Sequence, residues 1–125
     1  MSDSTISRVL LVGHCRPDQY MLRSAIEGIV KGAEIVVAND PESVGSAEAD
    51  SLYLVNRVLD GAFPDTDGIT LVERLAQAGG RAMLISNLPD KLAESESRGG
   101  LPGFGKSELR SDKMREALIG AMSTN

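Results

Sequence analysis

Leu52-Tyr53-Leu54-Val55-Asn56-Arg57-Val58-Leu59-Asp60-Gly61-Ala62-Phe63-Pro64-Asp65-Thr66-Asp67-Gly68 is the stretch on which the fold is decided. It opens with four consecutive apolar residues, Leu52 to Val55, too short for a helix and continuous rather than alternating. That is the pattern of a strand buried on both faces. The polar and turn-forming residues after Val55 read as a loop. Asp67 ends it as a helix N-cap, because Leu71, Val72, Leu75 and Ala76 follow at helical spacing. Strand, loop and helix in that order are half of a βαβ unit.

The same unit recurs in both directions along the chain. Upstream, Arg8 to Val12 and Glu34 to Ala38 read as strands. Between them Leu22, Ala25, Ile26 and Ile29 mark a helix, with Asp18 expected as its N-cap. Asp40-Pro41 reads as an N-cap with proline in the first turn, and the weakly patterned helix after it is expected to reach about Ala49. Downstream, Gly79-Gly80 stops the helix begun at Asp67, and Ala82 to Ser86 is a fourth strand. Pro89 to Arg98, rich in Glu and Ser, is expected to be a poor helix. Leu101 to Phe104 is a short fifth strand whose Pro102 suits a sheet edge. Ser111 or Asp112 caps a last helix with Met114, Ala117, Leu118, Ala121 and Met122 on one face. Five strands alternating with helices imply right-handed crossovers and an α/β fold: a doubly wound, five-stranded parallel sheet flanked by helices.

Composition agrees with one domain over residues 1–125, with tails at 1–7 and 123–125 expected to fray. Apolar residues make up 42% and charged residues 25%, so a core can form without a disulfide or metal staple. The formal net charge of -5, with no basic cluster, argues against a nucleic-acid surface. One cysteine excludes an internal disulfide and a cysteine-rich zinc site, and no apolar run reaches the roughly 20 residues of a membrane span. The polar N-terminus has no signal-peptide core, so a cytoplasmic protein is expected.

In doubly wound sheets the chemistry sits at the carboxyl ends of the strands. Those ends are Gly13 to Arg16, Asn56 to Asp60, Ser86-Asn87 and Gly105-Lys106. On these clusters, across Arg8 to Met122, the chain resembles the receiver domain of two-component response regulators, with a flavodoxin-like fold. The resemblance implies two acidic magnesium ligands after the first strand, a phosphorylated Asp after the third, a Ser or Thr after the fourth and a Lys after the fifth. Ser86 and Lys106 stand in the last two places, but Gly13-His14 stands where the acidic pair belongs.

Two residues compete for the acceptor place. The loop signature implied by the resemblance matches Asp60 through Gly68 and names Asp60. Spacing favours Asn56, which lies 30 residues before Ser86, enough for a loop, a three-turn helix and a strand; Asp60 lies 26 before it. An Asn amide is not a competent nucleophile, Gly13 has no ligand, and neutral His14 is a poor magnesium ligand. Gly13, His14, Asn56, Ser86 and Lys106 therefore read as a degenerate acceptor site, with Asp60 as the alternative acceptor. Ser107 follows the Lys where the family has a cis proline, so a trans bond is expected. Gly103 stands where the family has a switching aromatic.

The expected function is an atypical receiver-like signalling module that is not an enzyme and binds a protein partner or itself. It needs no cofactor, and magnesium only if Asp60 takes phosphate. Other motifs weigh less. Gly100 to Ser107 matches the P-loop pattern, but Ala93 to Gly99 before it is no strand, so nucleotide binding is a remote alternative. His14-Cys15 offers too few ligands for a metal. A Ser86, His14 and Asp60 triad lacks a nucleophile elbow. Asp65, Asp67, Glu73, Glu94 and Glu96 are expected to be solvated surface or helix-start charges.

Overall fold

The computed structural model describes residues 6–122. Its strands are β1 (Arg8–Val12), β2 (Glu34–Ala38), β3 (Ser51–Asn56), β4 (Arg81–Ile85) and β5 (Leu101–Phe104). They form one parallel sheet in the order β2-β1-β3-β4-β5. The helices are α1 (Arg16–Glu27), α2 (Pro41–Val44), α3 (Gly68–Gln77), α4 (Pro89–Ser97) and α5 (Asp112–Met122).

The continuous apolar runs resolve into two alternating sets, because successive strand side chains point to opposite faces. Val9, Leu11, Leu52, Leu54, Met83 and Ile85 pack with Leu22 and Ile26 of α1 and Met114 and Leu118 of α5. Leu10, Val12, Tyr53, Val55 and Leu84 pack with Ile69, Val72 and Leu75 of α3 and Leu92 of α4. Both faces are covered, so the middle of each central strand is apolar apart from the Tyr53 hydroxyl, and polar side chains collect at the strand ends, Ser51 at the start of β3 and Asn56 at its close.

The expected caps at Asp40 and Asp67 are present: Asp40 Oδ1 accepts from Ser43 N at 2.7 Å and Asp67 Oδ1 from Ile69 N at 3.0 Å. Ser111 Oγ accepts from Met114 N at 3.2 Å at the start of α5. β5 is the edge strand its proline requires. Among the described residues no peptide bond is cis.

β3 extends one residue beyond the run Leu52 to Val55 at each end, β4 lies one residue earlier than Ala82 to Ser86, and four larger features differ from the sequence reading. Asp18 does not cap α1; the helix starts at Arg16, because Pro17 suits its first turn, and Asp18 lies inside that turn. The second helix ends at Val44 rather than near Ala49. Gly45 leaves the helix at φ +65°, and the buried Tyr53 hydroxyl donates to Ser46 O and accepts from Glu48 N, holding the following segment in another path. α4 is a regular nine-residue helix, anchored by Leu92 and by Ser95, which packs against Gly100. The expected frayed tail included Ile6 and Ser7, but Ile6 is buried in the core and Ser7 bonds to Asp50 through both its backbone N–H and its hydroxyl. The remaining tail residues, 1–5 and 123–125, lie outside the described residues.

Candidate functional site

β3 ends at Asn56, whose backbone still pairs with Ile85 of β4, so Asn56 is the residue at the carboxyl end of the central strand. Both polar atoms of its side chain are hydrogen-bonded. Nδ2 donates to Gly13 O at 2.9 Å and to Val58 O at 2.8 Å, and Oδ1 accepts from Lys106 Nζ at 3.2 Å. The amide thus joins the ends of β1 and β3 to the lysine after β5. A carboxylate here would set a negative oxygen against two carbonyls.

Lys106 is held more firmly by Asp18, whose Oδ2 lies 2.6 Å from Nζ. This hydrogen bond from Lys106 keeps the Asp18 carboxyl below its ordinary pKa. Asp18 was expected to serve as a cap, and its role here was not legible from neighbouring residues. The one signal in the sequence is its place in the first turn of the helix that follows β1.

Gly13 follows from the long loop between β3 and α3. That loop folds back on itself: Leu59 N donates to Thr66 O at 2.8 Å, Gly68 N to Arg57 O at 2.8 Å, and Val58 bridges Asp67. The fold-back tucks Leu59 into the core and ties Asp60 N to Gly13 O at 2.9 Å. Gly13 has φ +74°, and a Cβ there would lie 2.5 Å from Leu59 Cδ2 and 3.0 Å from Leu59 Cα. The lengthened loop therefore fills the volume that an acidic side chain would need. Asn39, another residue the sequence reading passed over, clasps the same turn: its Oδ1 accepts from Gly13 N at 3.1 Å and its Nδ2 donates to His14 O at 3.3 Å.

His14 does not face the edge; it is fully buried. Leu54 O, an acceptor only, lies 2.9 Å from Nε2, so Nε2 carries the proton and Nδ1 is left as a buried acceptor without a partner. Burial lowers its pKa to about 4, and the positive charge of Lys106 adds to the effect. Ser86 is buried, with Oγ accepting from Leu88 N at 3.1 Å. Asn87 Oδ1 accepts from Ser107 N at 2.9 Å and Ser107 Oγ at 3.0 Å, fixing the single 3-10 turn Lys106–Glu108.

The structure thus brings Asn56 and Lys106 into contact, with Gly13 bonded to Asn56 and Ser86 lining the same cleft. Asp60 is exposed, and among the described residues no contact joins it to Lys106. His14, Ser86 and Asp60 are not hydrogen-bonded to one another, so no triad forms. Among the described residues there is no group of three His, Cys, Asp or Glu that could hold a metal. Magnesium, which wants carboxylate or water oxygens, does not fit this donor set: Gly13 has no side chain, His14 is turned inward, and the Asp18 carboxylate is bound to Lys106. The P-loop-like stretch is spent on β5 and the 3-10 turn. Only Gly105 lies between them, which leaves no loop to cradle a phosphate. Gly103 is packed so closely against Leu84 O that a Cβ would collide with it.

No family model matches the sequence, and no curated protein matches it. Solved structures do. The signal receiver domain of a DNA-binding response regulator from Colwellia psychrerythraea 34H superposes with a TM-score of 0.70 at 17% identity, covering 90% of this chain and 95% of that one. A response regulator from Thermotoga maritima gives 0.68 at 16% identity, covering 94% and 98%. The receiver domain of the Francisella response regulator 1452 gives 0.64 at 15%, covering 92% and 94%. The fold is therefore that of response-regulator receiver domains. Among the described residues, no helix is long and apolar enough to cross a membrane.

Proposed function

We propose that this chain is an atypical receiver-like signalling module of the cytoplasm, a pseudo-receiver that acts through protein contacts without ordinary Asp phosphorylation. The observation that carries this reading is the internal closure of Lys106. In phosphoryl transfer to a carboxylate, a nucleophilic oxygen, a divalent cation and a free positive charge must converge on the transferred group. Here the lysine is neutralised by Asp18, the strand-end residue is an amide locked by three hydrogen bonds, and the turn after β1 has no room for an acid. The receiver fold of its structural neighbours supports a role in protein recognition rather than catalysis.

A second reading has one observation in its favour. Asp60 is exposed, and its backbone is tied to Gly13 at the same sheet edge, so a phosphoryl donor could reach it. Incubation with acetyl phosphate and magnesium, followed by intact-mass measurement, separates the two. The expected result is no added phosphoryl group. A gain of one group that disappears in Asp60→Asn would replace the first reading with the second.

A further inference from the structure

A cleft of about 350 Å³ opens beside the Lys106 cluster, lined by Asn56, Arg57, Val58, Ile85, Ser86, Asn87, Leu88 and Lys106. Three features of its lining play no part in the closure described above. The Arg57 guanidinium has no hydrogen-bond or ion-pair partner among the described residues; only its carbonyl is used, by Gly68 N. Lys106 spends two of its three ammonium hydrogens, on Asp18 and Asn56, leaving one. Val58, after β3, and Leu88, after β4, are 53% and 42% exposed although both are aliphatic. No carboxylate lines the cleft, in a chain whose net charge is -5.

We infer that this cleft docks a partner-protein segment that presents an Asp or Glu carboxylate to Arg57, with neighbouring aliphatic side chains covering Val58 and Leu88. The inference rests on the proposed function, since it names the chemistry of the partner that such a module would bind. Charge complementarity selects the carboxylate: with Lys106 neutralised by Asp18, the unpaired Arg57 guanidinium is the free positive group of the cleft, and it offers a fork of donors matched to a carboxylate. The two exposed aliphatic residues select a protein segment over a free anion. A small ion would leave them wet, and the field of an acidic chain opposes accumulation of free anions around it. A peptide segment adds apolar burial to the ionic contact, and so can be retained against that field.

The test is amide chemical-shift mapping of the whole chain, without acetyl phosphate, using three probes: acetyl-Leu-Glu-Leu-amide, its Gln counterpart, and inorganic phosphate. The Glu peptide should give saturable shifts at Arg57, Val58, Asn87, Leu88 and Lys106. Arg57→Gln should weaken binding about tenfold, the size of one charge-assisted contact. Leu88→Ser should weaken it too; Leu88 is exposed and the half-buried Arg57 side chain has no partner to lose, and an unchanged amide spectrum away from the cleft checks that each variant is folded. Equal shifts from the Gln peptide, no saturable shift, or shifts centred elsewhere would overturn the inference. Equal binding of phosphate alone would overturn it in favour of a simple oxyanion site. Because no phosphoryl donor is present, failure here leaves the phosphorylation result standing, and the reverse also holds.

Discussion

Lys106 Nζ and Asp18 Oδ2 lie 2.6 Å apart across 88 residues of chain, and the pair is partly shielded, with side-chain exposures of 19% and 28%. The acid that meets this lysine comes from the first turn of α1, not from the end of β1. That displacement makes the site a structural clasp between α1, β3 and the turn after β5. Removing one partner leaves the other charge partly buried and unpaired. Asp18→Asn should destabilise the fold by about 1 kcal/mol, the discounted value for a pair still open to solvent. Urea denaturation of Asp18→Asn, Lys106→Met and the double variant should show a positive coupling energy. Strict additivity would mean the contact contributes nothing.

Asn56→Asp restores the carboxylate that the resemblance calls for, yet it should not restore phosphorylation. The substitution removes both Nδ2 hydrogens and turns one negative oxygen toward Gly13 O and Val58 O, while the other still accepts from Lys106. A loss of about 1 kcal/mol is expected, the cost of two lost hydrogen bonds whose groups stay partly open to solvent. Equilibrium denaturation reads the loss, and intact mass after acetyl phosphate reads the chemistry. A more stable variant that gains a phosphoryl group would contradict both halves.

His14 should make stability fall in mild acid. Its folded pKa is lowered to about 4 from 6.5, chiefly by burial. Between those values the unfolded chain binds the proton and the folded one does not, so stability rises with pH across that window. The contribution is fully present above about pH 6.5 and is lost as pH falls toward about 4, on the order of 3 kcal/mol in total. His14→Gln can keep a donor toward Leu54 O without titrating, and should flatten the stability profile over this range. An unchanged slope in that variant would assign the acid sensitivity to other groups.

ATP with magnesium should give no specific rise in melting temperature, since a ligand stabilises only by binding the native state. The glycines of the Gly100 to Ser107 stretch serve packing instead. Gly103→Ala drives a Cβ into Leu84 O and should cost about 2 kcal/mol or more. A saturable thermal shift with ATP that Lys106→Ala abolishes would reinstate the nucleotide reading.

Hydrogen exchange should rank α4 below the central strands. Only Leu92 and Ser95 of its nine residues are buried, and the ion pairs of Arg98 with Glu94 and Glu73 are surface contacts. Amides from Leu92 to Arg98 are expected to exchange well before those of β1 and β3. Equal protection would show that α4 opens only with the whole domain.

Local pattern alone carried the five strands, the caps at Asp40 and Asp67, the edge position of β5, and the meeting of Asn56 and Lys106 at one sheet edge. Each of these depends on side chains a few residues apart, or on the single rule that parallel strands share a carboxyl edge. The spacing from Asn56 to Ser86 was enough to choose Asn56 over Asp60 as the strand-end residue. Tertiary structure decided the rest. Asp18 reads as a cap from its neighbours because its partner is 88 residues away, and the pattern after Pro41 overstates α2 because the Tyr53 hydroxyl that redirects its exit comes from a later strand. His14 read as a loop residue until packing buried it against Leu54. Gly13 shows the difference most clearly. Its lack of a ligand is plain in the sequence, but the reason is a steric one, the body of Leu59 lying where a Cβ would go. Hydrophobic period is set by neighbours along the chain, whereas excluded volume and charge pairing are set by whatever the sheet brings alongside.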